Sequence, residues 1–271
     1  MLENFQFSQA SLQDYADCPR RFQFRYLSGL SWPSVEAEPI DEYDRQMREG
    51  TIFHRMIQQH ILGIPQEKLS AMAGGVELSV WWNNYRKSDF YELKAERYPE
   101  ITLTGRIKGW PIIAKYDLIY VSDGRAKIID WKTSRKCPQR DWLARRLQTI
   151  VYPCLLTEGG HHINKGKNFK PEDISMIYWF ANFPDNTESF SYDSSRYRDD
   201  RSYLEELIEK ILTDSEFIRT SEEHFCSYCI YRSLCNRGIE AGNIEKIEDE
   251  GDLRENINID IDFEQITEIE W

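Results

Sequence analysis

The spacing of apolar residues divides the first half of the chain into a helical part and a strand-rich part. Residues 41–62 carry apolar side chains from Met47 to Ile61 at intervals close to one helical turn, with His54 beside that stripe. A second helical pattern covers about 76–94. From Ile101 the pattern changes, and we predict three strands joined as a meander, at 101–107, 111–121 and 125–131.

Both kinds of element follow the meander. In chain order, we predict a helix over 139–157, a strand over 174–182, a short strand near 188–192 and a helix over 199–213. The N-terminal segment predicts two short helices broken at Cys18-Pro19, because proline disfavours helix at the residue before it, and Gly29 supplies a stop. The order α, β-meander, α, β, β, α indicates a mixed α/β protein.

Charge is distributed unevenly along the chain. The formal net charge is −12, but residues 236–271 hold twelve acids and three bases. We therefore predict a body of residues 1–238 and an acidic tail of residues 239–271 that is partly disordered, with the run NINIDIDF as a candidate edge strand. Bases cluster in the body and either face phosphates or form solvated helix faces: Arg20, Arg21 and Arg25; Arg135, Lys136, Arg140, Arg145 and Arg146; Lys165, Lys167 and Lys170.

Several functional classes lack their sequence signals. Hydrophobic residues make up 41% of the chain, yet no run of about 18 apolar residues occurs, which predicts no membrane association and a cytoplasmic protein. Gly160 to Lys167 departs from the spacing of a phosphate-binding loop. We therefore expect no bound nucleotide, so that any unwinding of a duplex would need a separate helicase.

Two carboxylates and a lysine are expected to converge in the meander. Asp117 lies on one predicted strand and Asp130 at the end of the next, and Lys132 shares a strand face with Asp130 because it is two residues away. Carboxylates that hold a divalent cation beside a lysine suit phosphodiester hydrolysis by an activated water. The carbonyl of Trp131 is a candidate further ligand.

The acid-x-lysine spacing is weak evidence by itself. About two such triplets are expected by chance in a chain of this composition, and Glu92-Leu93-Lys94 is a second one here. Glu92 falls in a predicted amphipathic helix, where such a pair is usually solvated. Asp130 instead follows apolar residues on a predicted buried strand, where a charged pair is costly unless it has a function.

The ordered motifs GTIFH, KYDLIY, KIIDWKTS and QTIVY resemble the RecB-like branch of PD-(D/E)XK nucleases, which includes the AddB nuclease domain and the CRISPR-associated Fe–S exonucleases. The resemblance spans residues 8–238. It implies a restriction-endonuclease-like core, a metal shell of His54, Asp117 and Asp130, and catalytic roles for Asp117, Asp130 and Lys132. It also implies that Gln148 and Tyr152, one helical turn apart, reach the site or DNA. Glu96 matches an acid often found upstream in the family.

Cysteine spacing predicts a second inorganic site. Cys226, Cys229 and Cys235 lie within ten residues, which is a strong signal for a metal or a cluster. The family resemblance supplies Cys18 as fourth ligand of a 4Fe-4S cluster that joins the N- and C-terminal segments. Zinc, with Cys18 or His224 as fourth ligand, is the alternative. Cys137 and Cys154 fall outside the pattern.

These patterns and the resemblance lead to one functional prediction and two rivals. The prediction is a Mg²⁺- or Mn²⁺-dependent DNA nuclease, an exonuclease on single strands or ends, acting in CRISPR adaptation or recombinational repair with a helicase or CRISPR adaptation proteins as partners in trans. One rival is a non-catalytic Fe–S subunit that binds DNA or acts as a scaffold. The other is a nuclease that acts on RNA.

Overall fold

The structure, a computed structural model, describes residues 5–30, 38–227 and 229–240. The predicted acidic tail lies almost entirely outside the described residues, as does the candidate strand NINIDIDF. Helices occur at α1 Gln9–Asp17, α2 Pro19–Phe22, α3 Glu38–Ile61, α4 Gln66–Met72, α5 Val76–Lys87, α6 Arg140–Ala144, α7 Leu147–Gly159, α8 Ser194–Thr213, α9 Glu223–Ser227 and α10 Arg232–Cys235. Strands occur at β1 Phe7–Ser8, β2 Glu96–Ile107, β3 Trp110–Ser122, β4 Arg125–Lys132, β5 Ile174–Phe180 and β6 Phe183–Ser191.

In the described part of the chain, all six strands form one mixed sheet in the order β1-β3-β4-β5-β6, with β2 also paired to β3. The β2–β3, β3–β4 and β5–β6 pairs are antiparallel. The β1–β3 and β4–β5 pairs are parallel. This arrangement confirms the predicted mixed sheet and is consistent with the expected restriction-endonuclease-like core.

Helices cover both faces of the sheet. On one face, α1, α7 and α8 bury side chains such as Leu12, Val151 and Ile208 against the strands. On the other face, α3 and α5 contribute Phe53 and Trp81. Buried apolar area is the main stabilising term in folding, and here it holds the sheet between two helical layers. None of the helices in the described part of the chain is long and apolar enough to cross a membrane.

Two tight turns fix the register of the meander. Lys108 and Gly109 both have positive φ, as do Asp123 and Gly124. A two-residue hairpin turn of this kind needs positive φ at both central positions, which glycine adopts without strain. The turns set the pairs Ile107 with Trp110 and Ser122 with Arg125, and hence the alignment of all three strands.

Some element boundaries differ from the predictions. The helix predicted over 76–94 ends at Lys87, so Glu92 is not helical. The helix predicted over 139–157 is two helices, because Arg146 adopts extended backbone angles and starts α7 as its N-terminal cap. Strand β2 begins at Glu96 rather than Ile101, and α8 begins at Ser194, where the Asp193 side chain accepts a hydrogen bond from the main chain.

The N- and C-terminal segments pack against each other. The Tyr15 hydroxyl donates to Asp214 at 2.8 Å, and the Tyr231 hydroxyl donates to the carbonyl of Leu30 at 2.8 Å. The rings of Phe22 and Phe217 stack with centroids 6.1 Å apart. These contacts join the first two helices to α8 and the region after it.

Candidate active site

Asp117 and Asp130 meet at one end of the β3–β4 pair. The strand pairing ends there with Leu118 opposite Ile129, so the two aspartates follow at the same edge. The main-chain N–H of Trp131 donates to Asp117 Oδ2 at 2.8 Å. That bond fixes the Asp117 carboxylate and leaves its other oxygen directed toward α3.

Three side chains could together hold a metal ion. His54, Glu100 and Asp117 each offer a ligand atom, and these atoms lie within 4.8 Å of one another. His54 comes from α3, and its Nδ1 is 3.2 Å from Asp117 Oδ1. Two carboxylates and an imidazole are donors that suit Mg²⁺, Mn²⁺ or another divalent cation. The residues therefore fit the metal that the sequence predicts.

Glu100 is the member of this group that the sequence predictions missed. The pairs Pro99 with Leu118 and Ile101 with Tyr116 place Glu100 across from Asp117. Its φ is +53°, an uncommon value for a non-glycine residue within a strand. Such strained positions are typical of functional sites. Glu96, the acid that the family resemblance indicated, is exposed and accepts a hydrogen bond from the Tyr98 hydroxyl at 3.0 Å instead.

The electrostatics of the two carboxylates differ. Burial and the neighbouring Asp117 raise the pKa of Glu100, against the opposing effects of His54 and Lys115. Burial would also raise the pKa of Asp117, but His54, the N–H of Trp131 and Lys132 lower it overall. Like charges in contact disfavour double ionisation, and a bound cation removes that penalty.

Asp130 and Lys132 form a buried polar network with α7. Lys132 Nζ lies 3.1 Å from Asp130 Oδ2, and the two side chains are 9% and 4% exposed. The Gln148 side chain joins them, because it accepts from Lys132 Nζ at 3.0 Å and donates to Asp130 Oδ1 at 2.5 Å. Gln148 also donates to the Tyr152 hydroxyl at 3.2 Å, which donates in turn to the carbonyl of Lys115 at 2.7 Å.

The structure thus brings the sequence-predicted residues together in two adjoining groups. His54 and Asp117 belong to the candidate metal group, whereas Asp130, Lys132, Gln148 and Tyr152 form the network beside it. Asp130 is not a member of the three-residue group, and Trp131 contributes its N–H to Asp117. Metal ligation by Asp130 and by the Trp131 carbonyl stays a prediction.

The four cysteines of the predicted second site line one pocket. Cys18, Cys226, Cys229 and Cys235 surround about 440 Å³ of atom-free space that includes the opening to solvent. Among the described residues, no three of their sulfur atoms lie within 4.8 Å of one another. Burial raises the pKa of Cys229 to about 11, although Arg21 opposes it, so a positive ion is needed to stabilise the thiolate at neutral pH.

Other cysteines and the candidate zinc histidine lie elsewhere. His224 does not line the pocket, and its side chain is 66% exposed with Nδ1 3.8 Å from Glu222. Cys154 is buried in the core, where burial raises the pKa of its thiol. Cys137 lies outside the pocket and is partly buried.

Several bases that were candidates for phosphate contacts form ion pairs within the protein. Arg21 contacts Asp14 and Asp17, both at 2.7 Å, and Arg25 contacts Asp14 at 2.5 Å. Both guanidinium side chains are 11% exposed, so they are held by carboxylates rather than solvated, and Arg21 also lines the cysteine pocket. Arg135 and Arg140 pair with Glu77 and Glu188.

Comparisons with known proteins agree with this geometry. A crystal structure titled "Putative exonuclease" from Eubacterium rectale is 11% identical to the chain, covering 88% of this chain and 90% of that one with a TM-score of 0.54, which shows a shared fold. A second structure, SSO0001, is 16% identical over 88% of each chain with a TM-score of 0.36, too low to bear on the fold. No curated protein sequence matches. The family model of the PD-(D/E)XK nuclease superfamily matches residues 6–236, and the chain belongs to that superfamily.

Proposed function

We propose that the protein is a divalent-cation-dependent DNA nuclease that removes nucleotides from single strands or ends. Membership of the superfamily supports a phosphodiester hydrolase. The observation that carries the proposal is the convergence of His54, Glu100 and Asp117 beside the buried Asp130–Lys132 pair. A buried lysine beside two carboxylate centres is costly to maintain, and hydrolysis of a phosphodiester gives it a function.

His54, Glu100 and Asp117 would hold Mg²⁺ or Mn²⁺, with Asp130 and the Trp131 carbonyl as further oxygen donors. When bound, the cation supplies Lewis-acid polarisation of the phosphoryl oxygen and makes water a better nucleophile. Lys132 lies beside this group with its ammonium fixed by Asp130 and Gln148. It orients the attacking water by hydrogen bonding and neutralises the charge that develops on the phosphate. The expected products carry a 5′-phosphate and a 3′-hydroxyl.

Gln148 and Tyr152 position the lysine rather than the substrate in this proposal. The amide of Gln148 contacts both members of the pair, and the Tyr152 hydroxyl links the amide to strand β3. The network therefore ties α7 to β3 and β4. Small displacements of a catalytic group reduce the rate strongly, so such anchoring supports efficient turnover.

We propose further that Cys18, Cys226, Cys229 and Cys235 hold a 4Fe-4S cluster. All four thiols line one pocket, which fits a sulfur-ligated group. Zinc held by the same sulfur atoms is the alternative, because tetrahedral sulfur sites accept either group. The cluster would fasten α1 and α2 to α9 and α10.

The cellular setting rests on the motif resemblance alone. It supports a role in CRISPR adaptation or recombinational repair, with a helicase or adaptation proteins acting in trans.

Iron analysis and an absorption spectrum of anaerobically purified protein test the cluster. A brown protein with about four irons and a broad band near roughly 400 nm is expected. Colourless protein that contains zinc contradicts the cluster and leaves the nuclease proposal intact.

The nuclease proposal is tested with end-labelled single- and double-stranded DNA and the same sequences as RNA, in Mg²⁺, Mn²⁺ or EDTA. Wild-type protein should shorten DNA from its ends only with a cation. Lys132→Ala and Asp117→Asn should abolish cleavage, whereas Lys108→Ala, at the far turn of the β2–β3 hairpin, should not. Cleavage of RNA alone would favour the RNA nuclease. No cleavage by folded wild type would favour the non-catalytic subunit.

A further inference from the structure

We infer that Lys115 contacts a substrate phosphate once a divalent cation has taken Glu100 from it. The inference rests on the proposed function and adds a residue that neither the family motifs nor the network above assigns to the substrate. Lys115 Nζ lies 2.8 Å from Glu100 Oε2, so the ammonium stands against one of the candidate metal ligands.

Lys115 differs in exposure from the groups around it. Its side chain is 64% exposed, whereas Glu100 is 17% exposed and Lys132 is 9% exposed. Lys115 is two residues before Asp117 on β3, on the same stretch of strand that supplies the metal group. A flexible, solvated ammonium at the edge of a metal group is well placed to meet a phosphate that approaches from solvent.

The main chain of Lys115 is held firmly although its side chain is exposed. The Lys115 carbonyl accepts a hydrogen bond from the Tyr152 hydroxyl at 2.7 Å, and the residue pairs with Thr102 on β2. The base of the side chain is therefore fixed relative to Asp117 and Gln148. Only the four-carbon stem has to rotate for the ammonium to leave Glu100.

Cation binding and the Lys115–Glu100 pair compete for the same carboxylate. Glu100 offers one of the three ligand atoms that lie within 4.8 Å of one another. A divalent cation there neutralises Glu100 and repels the ammonium beside it. Because the lysine of this ion pair is 64% exposed, the pair is weak, and breaking it should cost at most about fivefold in cation affinity. The released ammonium then adds a phosphate contact at the mouth of the site.

Three other cations of the protein are engaged elsewhere. Lys132 contacts Asp130 and Gln148, whereas Arg135 and Arg140 pair with Glu77 and Glu188. Lys115 therefore has a conditional role, in which the phosphate contact exists only in the cation-loaded protein.

Two titrations test this role in Lys115→Ala, with Lys108→Ala as matched control. Lys108 also forms an ion pair with a glutamate, Glu209, at an exposed position. The first titration measures Mn²⁺ affinity without DNA by electron paramagnetic resonance. Lys115→Ala should bind Mn²⁺ about two- to fivefold more tightly than wild type, because Glu100 loses its competitor, and Lys108→Ala should bind like wild type.

The second titration measures affinity for single-stranded DNA over a range of salt concentrations, once in EDTA and once in Ca²⁺. In Ca²⁺ the negative slope of log affinity against log salt should become shallower by about 0.7 in Lys115→Ala, the value for one lost phosphate contact. In EDTA the slope should equal that of wild type, because Glu100 still holds the lysine there. Lys115→Arg, which keeps the charge, should restore the wild-type slope in Ca²⁺.

Equal slopes in Ca²⁺, or Mn²⁺ affinity that falls in Lys115→Ala, would overturn the inference. A change of slope that is the same in EDTA and in Ca²⁺ would overturn the conditional part, since it would show a contact made without the cation. Failure of wild-type protein to cleave DNA contradicts the proposed function, whereas the two titrations still decide the role of Lys115.

Discussion

Replacement of Gln148 by leucine should slow catalysis in protein that is still folded, and it should also lower the free energy of unfolding. The amide of Gln148 donates to Asp130 Oδ1 and accepts from Lys132 Nζ, so both hydrogen bonds involve a charged partner. Such bonds contribute about 1.5–3 kcal/mol each. If the transition state loses the free energy of one such hydrogen bond, kcat should fall about 10- to 150-fold. Leucine keeps a similar volume, so packing of α7 should change little.

The assay is single-turnover cleavage of end-labelled DNA at saturating Mg²⁺, with thermal unfolding measured on the same samples. Gln139→Leu, at an exposed position before α6, is the matched control and should retain wild-type activity. Tyr152→Phe should have a smaller effect, and the double variant should lose less than the sum of the two losses, because both act through one network. A kcat for Gln148→Leu within twofold of wild type, with normal stability, would refute the positioning role.

Three further predictions concern other parts of the molecule. Glu100→Gln should weaken Mn²⁺ binding at least about tenfold while Glu96→Gln does not, as electron paramagnetic resonance can measure; equal effects of the two substitutions would contradict the assignment of Glu100 as a metal ligand. Burial raises the pKa of Asp200 to about 6, an effect that its contact with Arg196 opposes. The Asp200 carboxyl thus binds a proton more tightly in the native state than in the unfolded chain. The stability that it contributes below about pH 4 is lost as the pH rises through 6. The free energy of unfolding of Asp200→Asn, measured by urea titration, should therefore rise relative to wild type by on the order of 1–2 kcal/mol between pH 4 and pH 7. A difference between the two proteins that does not change with pH would contradict this. A Cβ at Gly105 would lie 2.5 Å from Leu155 Cδ2, so Gly105→Ala should lower stability by about 1–3 kcal/mol in thermal unfolding, whereas Gly74→Ala, with its nearest neighbour 4.0 Å away, should not.

Local sequence patterns predicted the part of the site that lies on one hairpin. The turn at 122–124 and the alternation of β3 and β4 indicated that Asp117, Asp130 and Lys132 would meet. In the structure Lys132 contacts Asp130, and the N–H of Trp131 between them donates to Asp117. The period of one helical turn indicated that Gln148 and Tyr152 share a face of α7, and their hydrogen bond agrees with that.

Features that depend on register between distant segments were not predictable in this way. Glu100 enters the site because β2 begins at Glu96 and pairs with β3 over its whole length, which no local pattern shows. A Tyr-Pro-Glu sequence immediately before Ile101 was the available signal, since proline often marks an irregular strand position. Arg21 and Arg25 of the N-terminal segment similarly pair with Asp14, an acid more than one helical turn away that only the fold brings within reach.

Helix ends were missed for a related reason. Arg146 breaks the helix predicted over 139–157 although it is neither glycine nor proline. The break lets the main-chain N–H of Leu147 donate to the buried Gln13 side chain at 2.9 Å, a tertiary contact with α1. Tertiary hydrogen bonding thus overrides the local helical preference.

The proposed divalent cation binds where α3, β2 and β3 meet. Anomalous diffraction from a crystal of the wild-type protein grown with Mn²⁺ can locate it. We expect a manganese peak bordered by His54, Glu100 and Asp117 that disappears in Asp117→Asn. A manganese peak that lies only elsewhere, or that persists unchanged in Asp117→Asn, would contradict the assignment of this site.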